Sequence, residues 1–241
     1  MTETIALVTG ANKGIGNEIS RQLATQGIFV LMGARDHDRG EKAAAELRAQ
    51  GLPVEFIQID VTSQADVDRA VAEVERMHGR LDILVNNAGV AVDWLPGSEL
   101  TVEALRETFE TNVFGVFRVT KAFLPLLQKS KHGRIVNMSS GLGSMTRHSN
   151  PTSGLTLRNM LLAYSTSKAA VNMMTVQFAN ELRGAGIKVN SACPGFTATD
   201  MNQHQGKRTV EQGAATPVRL ALLPDDGPTG GVFSDDGAEP W

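Results

Sequence analysis

The residues best suited to chemistry are a tyrosine and a lysine in the stretch "AYSTSKAA". Tyr164 and Lys168 are four positions apart, so on a helix their side chains lie on the same face. A free tyrosine has a pKa of about 10, and a neighbouring ammonium group lowers it by stabilising the phenolate. The pair therefore predicts a proton-transfer site built on the only tyrosine of the chain. A Y-x-x-x-K spacing also arises by chance, so its meaning depends on the surrounding motifs.

A glycine-rich loop, "TGANKGIG", follows the apolar run Thr4–Gly10 and precedes a helical stretch. In such a loop Gly10 permits the tight turn, Gly14 lets the backbone approach a pyrophosphate, and Gly16 allows close packing of the helix on the strand. The free N–H groups of the helix N-terminus favour an anion at the same place. The loop predicts dinucleotide binding; the alternative is a plain strand-to-helix turn with incidental glycines.

The choice of dinucleotide depends on two cations and a missing acid. NAD-binding folds place an acidic residue near the end of the second strand to bind the ribose hydroxyls, but this chain has Ala34 and Arg35 there. An arginine grips phosphate bidentately, and Lys13 adds a second cation in the loop. These residues predict NADPH/NADP+. The alternatives are that both are solvated surface cations, or that Asp36 turns to the ribose.

Strand-like and helix-like segments alternate along the chain. The predicted strands are Thr4–Gly10, Ile28–Arg35, Val54–Val61, Leu81–Gly89, Gly133–Ser140, Ile187–Gly195 and a last one within Gly230–Gly237. The predicted helices are 15–26, 40–50, 63–78, two within 101–129, and 163–183. Continuous apolar strands between helices indicate a parallel sheet covered on both faces. We therefore expect a single α/β domain over residues 1–241, a Rossmann-type doubly wound sheet with its ligands at the carboxyl ends of the strands.

The composition excludes several classes of function. The 241 residues are 41% hydrophobic and 20% charged with a net charge of −3, which argues against disorder and against nucleic-acid or membrane partners. One cysteine, Cys193, permits no disulfide within the chain. The five histidines are scattered, so no metal site is expected. Without a signal peptide or a long apolar run, we expect a soluble cytoplasmic protein.

The motifs "TGANKGIG", "NNAG", "TNVFG", "GRIVNMSS", "YSTSK" and "CPGFTATDM", in this order and spacing, resemble the short-chain dehydrogenase/reductase family, and in particular its carbonyl-reductase-like members. The resemblance covers essentially the whole chain. It implies that Tyr164 gives a proton to a carbonyl oxygen as a hydride arrives from the nicotinamide, while Lys168 lowers the tyrosine pKa and binds the ribose. It also implies that Ser140 hydrogen-bonds the carbonyl and that Asn112 holds a water of the proton relay. Ser139 is a competing assignment for the serine.

The resemblance extends to the cofactor contacts, with adenine at Asp60 and Val61 and the nicotinamide against the segment that follows the sixth strand. The full predicted set is Gly10, Asn12, Lys13, Gly14, Ile15, Gly16, Arg35, Asp60, Val61, Asn86, Ala88, Gly89, Tyr164, Lys168, Pro194, Gly195 and Thr197.

The stretch between Ser140 and Tyr164 contains an insert, "SMTRHSNPTSGLTLRN", which resembles a shortened form of the carbonyl-reductase insertion and leaves homodimer, homotetramer and monomer open. The predicted activity is NADPH-dependent reduction of a small hydrophobic ketone or aldehyde. The alternatives are an alcohol dehydrogenase that works oxidatively and a non-catalytic NADPH-binding sensor. Candidate pocket residues are Trp94, Met145, Phe196 and Met201, and Met201–Arg208 is a candidate lid.

Overall fold

The computed structural model describes residues 3–153, 155 and 161–241, so part of the predicted insert lies outside the described residues. Within these ranges one eight-stranded sheet has the order β3-β2-β1-β4-β5-β6-β7-β8. The strands are β1 Ile5–Thr9, β2 Phe29–Ala34, β3 Val54–Gln58, β4 Ile83–Asn86, β5 Arg134–Met138, β6 Lys188–Ala192, β7 Val232–Ser234 and β8 Gly237–Ala238. All neighbours pair in parallel except β7 and β8. The predicted α/β doubly wound sheet is confirmed.

The helices cover both faces of this sheet. They are α1 Gly14–Thr25, α2 His37–Arg48, α3 Gln64–His78, α4 Val102–Phe109, α5 Val116–Leu127, α6 Met145–Ser149, α7 Leu162–Glu181 and α8 Val210–Ala221. A π-helical turn, Glu110–Gly115, joins α4 to α5.

The sheet separates two apolar cores, and β1 shows how one strand serves both. Ile5 and Leu7 pack into the core under α3, α5 and α7, whereas Ala6 and Val8 pack into the core under α1, α2 and α8. Successive side chains of a strand point to opposite faces, so a strand covered on both sides must be apolar throughout. All five residues of β1 are buried.

Three of the named elements were not predicted: the short helix α6, helix α8 and strand β8. Helix α8 contains Gly213 and Pro217, residues that usually interrupt helices, but Thr209 and Gln212 form a capping box that starts it. Strand β8 is only two residues long and forms an antiparallel hairpin with β7, too short to leave an apolar pattern.

The strand order reverses between β1 and β4, which are neighbours at the centre of the sheet. Loops leaving the carboxyl ends of two such strands diverge to opposite faces, and the crevice between them is the usual ligand site of this architecture. The glycine loop follows β1, and the "NNAG" segment begins at the end of β4. In the described part of the chain, no helix is long and apolar enough to cross a membrane.

Candidate active site

A cavity of about 740 Å³ lies over the carboxyl ends of the central strands. Fourteen of the predicted site residues line it: Gly10, Asn12, Lys13, Gly14, Ile15, Gly16, Arg35, Asp60, Val61, Ala88, Gly89, Tyr164, Lys168 and Pro194. Asn86, Asn112, Ser140, Gly195 and Thr197 are not part of its wall. Among the described residues, no three His, Cys, Asp or Glu side chains converge as metal ligands would.

The glycine loop has the backbone that a pyrophosphate cradle requires. Gly10 and Gly14 have φ angles of +65° and +56°, in the region where side chains are strained. A Cβ on Gly16 would lie 2.3 Å from Nδ2 of Asn87 and 2.5 Å from the carbonyl oxygen of Gly10. A larger residue at position 16 would therefore push the loop off the "NNAG" segment. The cradle fits a dinucleotide phosphate.

Asn87, which sequence reasoning passed over, ties the two sides of the switch point together. Its Nδ2 donates to the carbonyl oxygens of Thr9 at 2.8 Å and Gly10 at 3.2 Å. The first asparagine of the motif, Asn86, instead turns into the protein, where its amide donates to Thr120 and Asn137. The two consecutive asparagines of "NNAG" were the sequence signal for these contacts. Asn87 binds the glycine loop, and Asn86 binds side chains within the protein.

Tyr164 lies on the first turn of α7 and faces the cavity. The side chain of Ser140, just after β5, is the hydrogen-bonding neighbour that lowers the pKa of this phenol. The neighbouring Ser139 contributes to the cavity wall, but its hydroxyl donates to Oδ1 of Asn172 at 2.6 Å, away from the tyrosine. Of the two candidate serines, Ser140 is therefore the one whose hydroxyl meets the tyrosine.

The ionisation of Tyr164 differs from the prediction made from sequence. Burial raises the pKa of its phenol to about 12, Cys193 acts in the same direction, and the Ser140 hydrogen bond opposes them. Lys168 is not among the groups that shift this pKa here; its ammonium lies over the ring face, 5.4 Å from the ring centroid, and its predicted effect on the tyrosine stays a prediction. The phenol of Tyr164 is accordingly neutral at physiological pH.

Lys168 is a buried residue of the cavity wall, and its Nζ donates to the main-chain oxygen of Met138 at 2.8 Å. Burial lowers the pKa of this ammonium to about 8. A Cβ on Gly89 would stand 3.7 Å from Nζ and 3.3 Å from Oδ1 of Asn112. The glycine thus keeps the space beside the ammonium free for a ligand.

Asn112 lies in the π-helical turn and is completely buried. Its Oδ1 accepts from Val90 N at 2.8 Å, and its Nδ2 donates to Val90 O at 2.9 Å and to Oγ of Ser167 at 3.0 Å. The two amide hydrogens are therefore taken by protein groups. The side chain anchors the loop that follows β4, which is a role the sequence did not predict.

The opposite end of the cavity is exposed and charged. Arg35 and Arg39 both line it. Asp36 caps α2 by accepting from Arg39 N at 2.9 Å and forms an ion pair with the Arg39 guanidinium, also at 2.9 Å. These bonds hold the pKa of the Asp36 carboxyl below its usual value. In this position Asp36 is committed to the helix cap.

Lys13 also has a partner. Its Nζ contacts Oδ2 of Asp200 at 2.7 Å, and Asp200 is held on its other oxygen by His204 at 2.9 Å. The hydrogen bond from Lys13, more than the contact with His204, lowers the pKa of the Asp200 carboxyl. The pair bridges the glycine loop and the segment after β6, at the residue immediately before the predicted lid, Met201–Arg208. Both side chains are more than half exposed.

The segment after β6 contributes Pro194 and residues 198–201 to the far wall of the cavity. Gly195, which is exposed, and Thr197 lie outside that wall. Thr197 is buried, and its hydroxyl donates to the Pro194 carbonyl oxygen at 3.0 Å. Of the candidate pocket residues, Met201 lines the cavity, and Trp94, Met145 and Phe196 do not.

Comparisons with known proteins agree with this geometry. A family model described as short chain dehydrogenase matches residues 4–209. Short-chain dehydrogenase/reductase 1 of Saponaria officinalis is 36% identical, with 98% of this chain and 95% of that protein covered. A carbonyl reductase of Rattus norvegicus, whose name specifies NADPH, is 35% identical over 98% of both chains.

A solved structure gives the same result in three dimensions. The NADPH-bound carbonyl reductase from chicken fatty liver superposes with a TM-score of 0.87 and 27% identity, and the match covers 100% of both chains. The glycine cradle, the Ser140–Tyr164–Lys168 cluster and these matches lead to one conclusion: the chain belongs to the short-chain dehydrogenase/reductase family of oxidoreductases.

Proposed function

We propose that the protein reduces the carbonyl group of a ketone or aldehyde to an alcohol with NADPH. The observation that carries this proposal is the Tyr164 side chain, which lines a cavity that reaches back to the glycine loop and has the side chain of Ser140 as a hydrogen-bonding neighbour. Two hydroxyl groups that meet in this way can both donate to one carbonyl oxygen. NADPH, when bound, supplies the hydride.

Tyr164 delivers the proton. A reduction needs an acid that is protonated at working pH and close to the oxygen on which negative charge develops. The raised pKa of the phenol, about 12, meets the first requirement. Ser140 supplies the second donor to that oxygen and orients the substrate.

Lys168 and Asn112 lie close to the Tyr164 donor and bind neighbouring main-chain groups of the site. The ammonium uses one N–H on Met138, so its other hydrogens are available for ribose hydroxyls in the space that Gly89 keeps free. Both amide hydrogens of Asn112 are used within the protein, so the predicted relay water would receive no hydrogen bond from this side chain.

The charges of the cavity rim favour NADPH over NADH. Arg35 is exposed in the cavity wall just after β2, where a 2′-phosphate would lie. Asp36 also lines the cavity, but both of its oxygens are engaged by Arg39, one through the helix cap and one through the ion pair. The NADPH named for the rat relative and for the chicken structure supports the same choice.

The substrate end of the cavity favours apolar carbonyl compounds. Val90, Val92, Met138 and Met201 contribute to the cavity wall, and the main-chain oxygen of Met138 accepts from Nζ of Lys168. Apolar walls with a few convergent polar groups are typical of small-molecule sites. We therefore expect aryl ketones and aldehydes to be better substrates than sugars or hydroxy acids.

The adjacent serines provide a matched test. We expect Ser140→Ala to lower kcat for a good ketone substrate about 10²- to 10³-fold, the usual loss when one donor to a developing oxyanion is removed. Ser139→Ala removes the same atom one residue away, where it serves Asn172, and should cost mainly stability. Rates are measured by NADPH absorbance at saturating cofactor.

Equal losses in the two variants would contradict the assigned role of Ser140. If neither wild type nor variants consume NADPH with any carbonyl in the panel but oxidise alcohols with NADP+, the proposed direction is wrong while the catalytic assignment stands.

A further inference from the structure

Helix α7 carries Tyr164 on its first turn but does not cap itself. Its N-cap residue, Leu161, has no polar side chain and has a φ angle of +60°. The first N–H groups of a helix have no partners within the helix, and an acceptor from a Ser, Thr, Asp or Asn side chain normally satisfies them. The acceptor must come from elsewhere in the chain.

That acceptor is Asp93, in the loop after β4. Its Oδ2 accepts from Ala163 N at 2.6 Å and approaches Tyr164 N at 3.4 Å, and its main-chain oxygen accepts from Leu161 N at 3.2 Å. Asp93 is only 3% exposed. A carboxylate at a helix N-terminus is stabilised by the helix dipole, and here it is supplied from 70 residues away.

The loop that carries Asp93 is itself held at the active site. Val90 is bonded on both main-chain groups by Asn112, and Val90 and Val92 line the cavity. One short segment therefore forms the cavity wall and also holds the turn from which the tyrosine projects.

We propose that Asp93 is a positioning residue: by capping α7 from the cavity loop, it sets the position of the Tyr164 hydroxyl relative to Ser140. Its effect on turnover rests on the proposed function, but its effect on the tyrosine does not. A shift of about 1 Å in a reacting group costs on the order of 10²-fold in rate.

Because Tyr164 is the only tyrosine, its position can be followed without turnover. Protein labelled with [13C-ζ]tyrosine gives one NMR signal, and its pH titration reports the environment of this phenol alone. We expect Asp93→Ala to displace or broaden that signal and to lower kcat about 10- to 100-fold, with little change in the KM for NADPH.

Two variants separate positioning from stability. Asp93→Asn keeps an oxygen that can accept from Ala163 N. The other carboxylate oxygen of Asp93, Oδ1, has no hydrogen-bond partner among the described residues, so replacing it with an amide nitrogen breaks no hydrogen bond. We therefore expect the kcat and the Tyr164 signal of this variant to stay close to wild type. Ser63→Ala removes the cap of α3, where Ser63 accepts from Asp66 N at 3.3 Å. It should lower Tm by about 2–4 °C and leave kcat and the Tyr164 signal unchanged.

An unmoved Tyr164 signal and an unchanged kcat in folded Asp93→Ala overturn the proposal, as does a Ser63→Ala variant that moves the signal equally. Should Asp93→Ala fail to fold, Asp93→Ser, whose side chain is one bond shorter, is put to the same test. If the signal moves but wild type reduces no carbonyl compound, Asp93 positions Tyr164 and it is the proposed function that fails.

Discussion

The two ends of the cavity hold their functional groups in different ways. At the catalytic end, Lys168 and Asn112 are buried, and each is fixed by hydrogen bonds to main-chain atoms. At the opposite end, lined by Lys13 and Arg35 and called the adenosine end because we propose that the adenosine of the cofactor lies there, both side chains are exposed. The ion pair of Lys13 with Asp200 joins two surface segments.

This difference indicates which substitutions should change turnover and which should change cofactor affinity. Buried hydrogen bonds have no water to compete with them, so losing one leaves a group unsatisfied and displaces its neighbours. Exposed ion pairs contribute little, about 0–1 kcal/mol, and salt screens them. Substitutions at the catalytic end should thus change kcat strongly, and those at the adenosine end should change cofactor affinity modestly and in a salt-dependent way.

The largest expected effect is that of Tyr164→Phe. Removing the hydroxyl takes away the proton donor but keeps the ring that Lys168 covers, so kcat should fall about 10³-fold or more, within the range of general acid catalysis. NADPH binding, followed by fluorescence titration, should be unchanged. Retained turnover would mean that another group protonates the product.

The next largest effect is expected in the pH dependence of the reduction rate, which should follow the ionisation of Lys168. Lys168 has its pKa lowered to about 8, whereas Tyr164 stays protonated up to about 12. The rate of reduction should therefore fall as pH rises through about 8, when the ammonium loses its proton. Lys168→Arg keeps its charge, so any activity it retains should lack this limb. A wild-type profile that is flat to pH 10 would contradict the assignment.

The stability contribution of Lys168 has the opposite sign. A lysine in the unfolded chain keeps its proton up to its ordinary pKa of 10.5, whereas the folded one releases it near 8. Between these pH values the unfolded state binds more protons, so this group makes the folded state more stable as pH rises. Comparing denaturant midpoints of wild type and Lys168→Met over that range isolates this contribution.

Arg35→Ala should have an intermediate and selective effect. If Arg35 binds the 2′-phosphate as proposed, its loss should reduce kcat/KM for NADPH about 10- to 50-fold and change it little for NADH. This is the lower part of the roughly 10- to 150-fold range that a charge-assisted bond of about 1.5–3 kcal/mol gives. Arg183→Ala removes an exposed arginine outside the cavity wall and is the control. Equal losses with both cofactors would make Arg35 a bystander.

The smallest effect is expected from Asp200→Asn. This change frees Lys13 from its ion pair, so NADPH affinity should rise about twofold at low salt and return to the wild-type value at high salt. Weaker binding in the variant would instead show that Asp200 holds Lys13 in the place where it serves the cofactor.

The parts that sequence predicted are those that depend on local pattern. Apolar runs such as Thr4–Gly10 predicted the central strands, and the glycine loop predicted the cradle, because a strand buried on both faces and a tight phosphate turn each restrict which residues fit. Helix α8 was not predicted because Gly213 and Pro217 are residues of low helix propensity, although the capping box of Thr209 and Gln212 indicated a helix start.

The parts that sequence missed depend on distant partners. Asp200 is 187 residues from Lys13, and Asp93 is 70 residues from Ala163; no periodicity relates such positions. The direction of the Tyr164 pKa shift was missed for a similar reason, since spacing on a helix shows that Lys168 is near but not that the phenol is buried, and burial is the largest cause of the shift.

The most direct test is the initial rate of cofactor oxidation by wild-type protein with a panel of aryl ketones and aldehydes, measured in parallel with NADPH and NADH. We expect turnover with at least one carbonyl compound and a kcat/KM for NADPH well above that for NADH. A preference for NADH, or turnover only of alcohols with the oxidised cofactor, would contradict the proposed function.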